Sequence, residues 1–157
     1  MTSSWIERHL GQFDKDFNRA LSEIKEGQKR SHWMWWIFPQ AEGLGNSNKS
    51  AIKSLDEAVA CLAHPDFGER YCQIVDAVWS RVVNCGTPVK IMFPHPDELK
   101  LVSSLTLFRR VAENLAQLQR PESNRRSFSL LVTQSTEILK RAQGEGLDPC
   151  SQSQEFE

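Results

Sequence analysis

Hydrophobic positions recur at helical spacing along almost the whole chain, and start and stop residues punctuate the pattern. Ser4 stands where it could cap a short helix reaching about Gln12. A second helix follows, with Phe17, Leu21 and Ile24 on one face and Gly27 as its stop. A run of large apolar residues ends at Pro39, and the stretch 41–50 (AEGLGNSNKS) has loop composition. Ser54-Leu55-Asp56-Glu57 is a capping box, which opens a helix that ends at His64-Pro65. Asp66 is placed to cap the next helix, whose inner face carries Val75, Val78, Trp79 and Val82 and whose stop is Gly86. Thr87 to Phe93 alone reads as extended, and no strand is available to pair with it. Pro96 sits where the first turn of a long helix should begin; that helix runs to about Leu118, and Pro121 follows it. A last helix spans roughly Ser127 to Ala142, with Lys140 and Arg141 where cations suit the helix dipole.

The pattern predicts an all-α fold: six or seven helices in a single domain over residues 1–143, with little or no β-structure. Residues 144–157 turn polar and read as a frayed tail. A length of 157 residues is enough to bury a core without disulfides or metal. No apolar run is long enough to span a membrane and no signal peptide is visible, so the expected location is cytoplasmic, with Cys61, Cys72, Cys85 and Cys150 as free thiols. Cys61 and His64 share a helix face, but no second ligand pair accompanies them, so no metal site is expected. The net charge of −1 disfavours a dedicated nucleic-acid partner.

Tryptophan changes the picture. Three of the five tryptophans lie within Trp33-Met34-Trp35-Trp36-Ile37-Phe38. Such a run covers every face of a helix, so it is either buried on all sides or lines a pocket. Burying one aromatic side chain is worth roughly 1.5–3 kcal/mol, so a core nucleus is one sufficient explanation. The flanks favour a second. Lys29, Arg30, Ser31 and His32 precede the run and Gln40 follows it, and apolar walls with a few convergent polar groups describe a ligand site.

The long helix supplies the other half of a candidate site. At 100° per residue from Leu99, the apolar stripe Leu101, Leu105, Phe108, Val111, Ala112, Leu115 and Leu118 falls between roughly 100° and 240°. Asp97, Lys100 and Ser104 fall inside that arc, at about 160°, 100° and 140°. Ser103, Thr106, Arg109, Arg110 and Glu113 point elsewhere. Polar groups on an inner face need partners. An Asp97–Lys100 ion pair would be purely structural. Alternatively Lys100 and Ser104 face a cavity and hold an anionic or carbonyl group, with Asp97 orienting Lys100 or acting as a base.

KRSHWMWWIFPQ followed by GLG, then SLDEA-x-x-x-L-x-HP, then PDELKLVSSLTLF, resembles the family known as domain of unknown function 1810, sometimes labelled calpastatin-like. The motifs occur in the family's order over roughly Leu21 to Phe108. The resemblance implies a mainly α-helical single domain and no established activity. It marks Lys29, Ser31, His32 and Gln40 in the first motif and Asp97, Lys100, Ser103, Ser104 and Thr106 in the last. Two departures stand out. The segment between Gly45 and Ala51 is short and lacks an aromatic usual in the family, and His95 precedes Pro96 where a small residue is more usual.

Together these residues point to a small-molecule binding domain that needs no cofactor, contacts a polar or anionic metabolite and has Trp33 and Trp36 as its apolar wall. The enzymatic alternative is a hydrolase or transferase, with His32 as general acid or base and Lys100 and Asp97 as electrostatic or orienting groups. A third possibility is a protein–protein adaptor. Recognition of RNA by aromatics and arginine fits poorly with the charge, and no membrane partner is expected.

Overall fold

The computed structural model describes residues 5–42, 51–118 and 123–157. Ser4, most of the 41–50 loop and Pro121 lie outside them. The first two expected helices are one, α1 (Trp5–Glu26). Gly11 costs a helix about 1 kcal/mol relative to alanine, but the buried stripe of Trp5, Phe13, Phe17, Ala20 and Ile24 runs past it without a break. Gly27, at φ +90°, ends the helix as expected.

The tryptophan run forms a single turn, α2 (Met34–Ile37). After the loop, Ile52 pairs with Ala41 in an isolated parallel bridge, and among the described residues there is no strand. Helix α3 (Leu55–Ala63) opens on the expected box, with Ser54 Oγ accepting from Glu57 N–H at 3.1 Å. The glutamate reaches one residue further back than the usual box, to Lys53 N–H at 3.0 Å. Helix α4 (Pro65–Trp79) corrects one expectation: His64, not Asp66, is the cap. Its Nδ1 accepts from Asp66 N–H at 3.2 Å, and Pro65 takes the first helical position, where a missing N–H is harmless. The last expected turns of α4 widen into a π turn (Ser80–Asn84) before Gly86 at φ +73°.

Thr87 to Phe93 is not extended. It holds the short helix α5 (Val89–Met92), capped from a distance by Glu145, whose carboxylate accepts from Val89 N–H and Lys90 N–H. Helix α6 (Asp97–Leu118) is the centre of the molecule and touches α2, α3, α5, α7 and α8. Helix α7 (Ser123–Gly144) is longer at both ends than its apolar pattern suggested. The expected frayed tail instead folds back on α6 as α8 (Ser151–Glu155). Leu147 and Ser153 are buried there, Phe156 packs on the core, and Arg110 donates to the Phe156 carbonyl at 2.7 Å. Two apolar anchors and hydrogen bonds from Arg110, Ser153 and Leu55 hold a segment whose composition is otherwise polar.

An aromatic spine joins the layers. Phe67 of α4 lies 4.8 Å from Phe13 and 5.4 Å from Tyr71, ring centre to ring centre, and Tyr71 lies 4.7 Å from Phe108. Phe93 and Phe38 continue the spine to Trp33. No helix among the described residues is long and apolar enough to cross a membrane.

Candidate functional site

The segment between α1 and α2 is built around a carboxylate that no motif in the sequence singles out. Glu23 lies on the inner face of α1, only 7% exposed. It accepts from Arg30 N–H at 2.6 Å, Ser31 N–H at 2.8 Å, Ser31 Oγ at 2.5 Å and the Trp33 indole at 3.0 Å. Burial alone would raise its pKa. The hydrogen bonds from the Ser31 hydroxyl, the two amides and the indole outweigh burial and hold it at about 2. Helical arithmetic could have found this residue: Glu23 follows Asp16 by seven positions, and both border the stripe that ends at Ile24.

This anchor decides what the tryptophans do. Trp33, expected as a wall of the site, is 1% exposed and belongs to the core. Trp36 is half-buried and lies against the His9 ring, 5.0 Å between centres. The indole that faces the polar residues of α6 is Trp35, which was not among the expected contacts. Lys100 Nζ sits 4.2 Å from the centre of its ring.

Lys29 also reaches this corner. Its backbone N–H donates to the Met92 carbonyl at 2.8 Å, and its Nζ lies 2.8 Å from Asp97 Oδ2. Lys100 Nζ approaches the other oxygen, Oδ1, at 3.4 Å. Asp97 therefore answers two ammonium groups at the start of α6, where the helix dipole also favours an anion. The Lys29 side chain is 8% exposed and that of Lys100 21%. Gln40 fixes the juxtaposition from below, donating to the Lys100 carbonyl and to the Phe38 carbonyl, each at 2.8 Å. It forms a buried tie between α6 and the aromatic segment.

Three expected contacts do not reach the corner. Ser104 is fully buried and bonds the Tyr71 hydroxyl at 2.9 Å. Thr106, expected to point away from the core, is buried as well, and its hydroxyl donates to the Val102 carbonyl at 2.7 Å. It is covered because α6 is packed on more than one side. Ser103 lies on the side of α8, where its carbonyl accepts from Ser153 Oγ at 3.0 Å. Ser31 is half-buried beside Glu23, and its hydroxyl is committed to that carboxylate. His32 is exposed next to it. His95 stands 3.0 Å from the buried Glu98 carboxylate, not from Asp97.

Two cavities, of about 580 and 430 Å³, open along α4, and neither is lined by the residues of this corner. Among the described residues no cluster of three histidine, cysteine or acidic side chains could hold a metal. Burial pushes the Cys61 thiol up, so it resembles an inert core thiol rather than a ligand.

Residues 4–122 match the family described as protein of unknown function, DUF1810. The chain belongs to this family. Among solved structures it is similar to the conserved hypothetical protein Rv1873 from Mycobacterium tuberculosis, at 30% identity and a TM-score of 0.65, covering 88% of this chain and 94% of that one. No curated protein matches the chain. Family membership thus supports the helical fold and carries no reaction with it.

Proposed function

We propose that this protein binds a small anionic metabolite at the corner formed by Lys29, Trp35, Asp97 and Lys100. One observation carries the reading: two ammonium groups converge on a single carboxylate. The corner keeps an excess positive charge in a partly desolvated setting, where an anion gains more than it would in open water. Trp35 adds a half-buried apolar surface beside the cation. Lys100 is the group to meet the ligand, since it is the more exposed lysine and the more distant from Asp97. Lys29 and Asp97 hold the geometry. Exposed His32 lies three residues from Lys29 and is available as a further donor.

The catalytic alternative has less support. His32 makes no hydrogen bond or ion pair with the described residues, so nothing orients its ring as a general base is normally oriented.

The test is a thermal-shift screen of nucleotides, phosphorylated sugars and carboxylates. A ligand at 100 times its dissociation constant stabilises the protein by roughly 2.7 kcal/mol. Lys100→Ala is expected to abolish that shift while melting within about 1 kcal/mol of the unliganded wild type, because the side chain makes one long ion pair and one partly exposed contact with the Trp35 ring. If no compound shifts the wild type, or if the variant responds equally, the reading fails.

A further inference from the structure

The 430 Å³ cavity lies between the last turn of α1 and the π turn, away from the corner just described. Lys25, Gln73, Asp76, Ser80, Arg81 and Cys85 line it. Two backbone features place Arg81. The π turn, closed by Cys85 N–H donating to the Ser80 carbonyl at 3.0 Å, shifts the side chains after Trp79 relative to the α-helical register. Gly27 at φ +90° then leaves room for the guanidinium, since a Cβ there would stand 2.4 Å from Arg81 Nη2.

The guanidinium is positioned but not paired. Among the described residues no carboxylate lies within ion-pair distance of Arg81 or Lys25, and Arg81 Nε is buried without a hydrogen-bond partner among them. Asp76, the carboxylate in the lining, lends one oxygen to Gln134 Nε2 at 2.7 Å. A guanidinium is a rigid fork of donors; Nε is itself buried, so the donors left for a ligand in the cavity are the Nη groups, which make no hydrogen bond among the described residues.

We propose that this groove is a second, independent anion site that takes a phosphate group, with Arg81 as the bidentate donor and Lys25 as the accompanying charge. Phosphate suits the fork geometry and the pair of cations better than a halide, which offers no two oxygens to bridge.

Exposed Cys85 provides a reporter inside the groove. Its alkylation by iodoacetamide is followed by peptide mass spectrometry on the full chain, with inorganic phosphate and with chloride at matched ionic strength. Phosphate is expected to slow labelling of Cys85 in the wild type and in a Lys29→Ala/Lys100→Ala variant, and chloride is not. Arg81→Gln is expected to lose the protection. Arg81→Lys, which keeps the charge but not the fork, is expected to weaken it and carries the test if the glutamine variant does not fold. Equal protection by chloride, or full protection surviving in whichever Arg81 variant folds, overturns the proposal. Loss of protection in the Lys29/Lys100 variant alone would move phosphate to the other corner and overturn it too.

Discussion

At the scale of single residues, the most consequential group is Glu23, a buried carboxylate with four donors around it. Its pKa is depressed from the ordinary 4.5 to about 2. A depressed folded-state pKa contributes stability above the unfolded value and loses it as pH falls through the folded one. The contribution, on the order of 3 kcal/mol, should therefore be intact above about pH 5 and disappear between about pH 4.5 and pH 2. Urea unfolding of wild type and Glu23→Gln across that range should show their difference shrinking as pH falls; a constant difference would contradict the assignment. Glu23→Ala leaves several donors orphaned at about 1–3 kcal/mol each, so it should lose about 3 kcal/mol or more at neutral pH. The Tyr71–Ser104 bond shows the same asymmetry. Ser104→Ala strands a buried phenol and should cost about 1–3 kcal/mol. Tyr71→Phe with Ser104→Ala removes both partners and should restore most of it, as a double-mutant cycle would show. Of the expected contacts, Lys29, Asp97 and Lys100 do converge, whereas Ser104 and Thr106 are core residues. The wheel of α6 placed Ser104 inward correctly but could not say that a tyrosine from α4 would be waiting for it.

At the scale of elements, legibility followed length and punctuation. Helices α3 and α6 carry an apolar stripe with a capping box or proline at the start, and those signals are local; α1 shows its stripe and its Gly27 stop, but its pattern reads as two helices. Helices α2 and α5 are four residues each, too short for any period to show; α5 is capped by the distant Glu145, and α2 packs on α1 and α6. The break between α3 and α4 was also visible, at His64-Pro65, but its tightness was not. Gly68 N–H donates to the His64 carbonyl at 2.7 Å, and a Cβ on Gly68 would lie 2.2 Å from the Leu62 carbonyl oxygen. That oxygen is backbone at the end of α3, so it cannot swing aside as a side chain could. Gly68→Ala should cost at least about 2 kcal/mol by overpacking, against a small gain expected for glycine-to-alanine elsewhere in a helix. Gly11→Ala is the matched control, because nothing lies within 4 Å of its added Cβ. Denaturant midpoints of the two variants should move in opposite directions, and equal shifts would mean that the corner relaxes.

At the scale of the whole molecule, the chain closes on itself through its C-terminal residues. Ser153 Oγ donates to the Ser103 carbonyl at 3.0 Å, Arg110 donates to the Phe156 carbonyl, and the Glu157 carbonyl accepts from Leu55 N–H at 2.9 Å. The last contact matters because Leu55 opens α3, and the first N–H groups of a helix have no partner within it. One strap thus covers α6 and caps α3, joining segments separated by most of the sequence. Composition concealed this, since Ser, Gln and Glu dominate 151–157 and only Phe156 hints at an anchor. Deleting residues 150–157 should expose the face of α6 around Ser103 and Arg110. If the lost contacts amount to about 2–3 kcal/mol, melting should fall by on the order of 5–10 °C for a chain of this size. A freely frayed tail would leave it unchanged. Hydrogen exchange gives the local counterpart: the Leu55 amide should lose protection in the truncated protein, while amides in the middle of α1 change only with global stability. Loss of protection at Leu55 without a fall in melting temperature would mean that the strap caps α3 but contributes little to the stability of the domain.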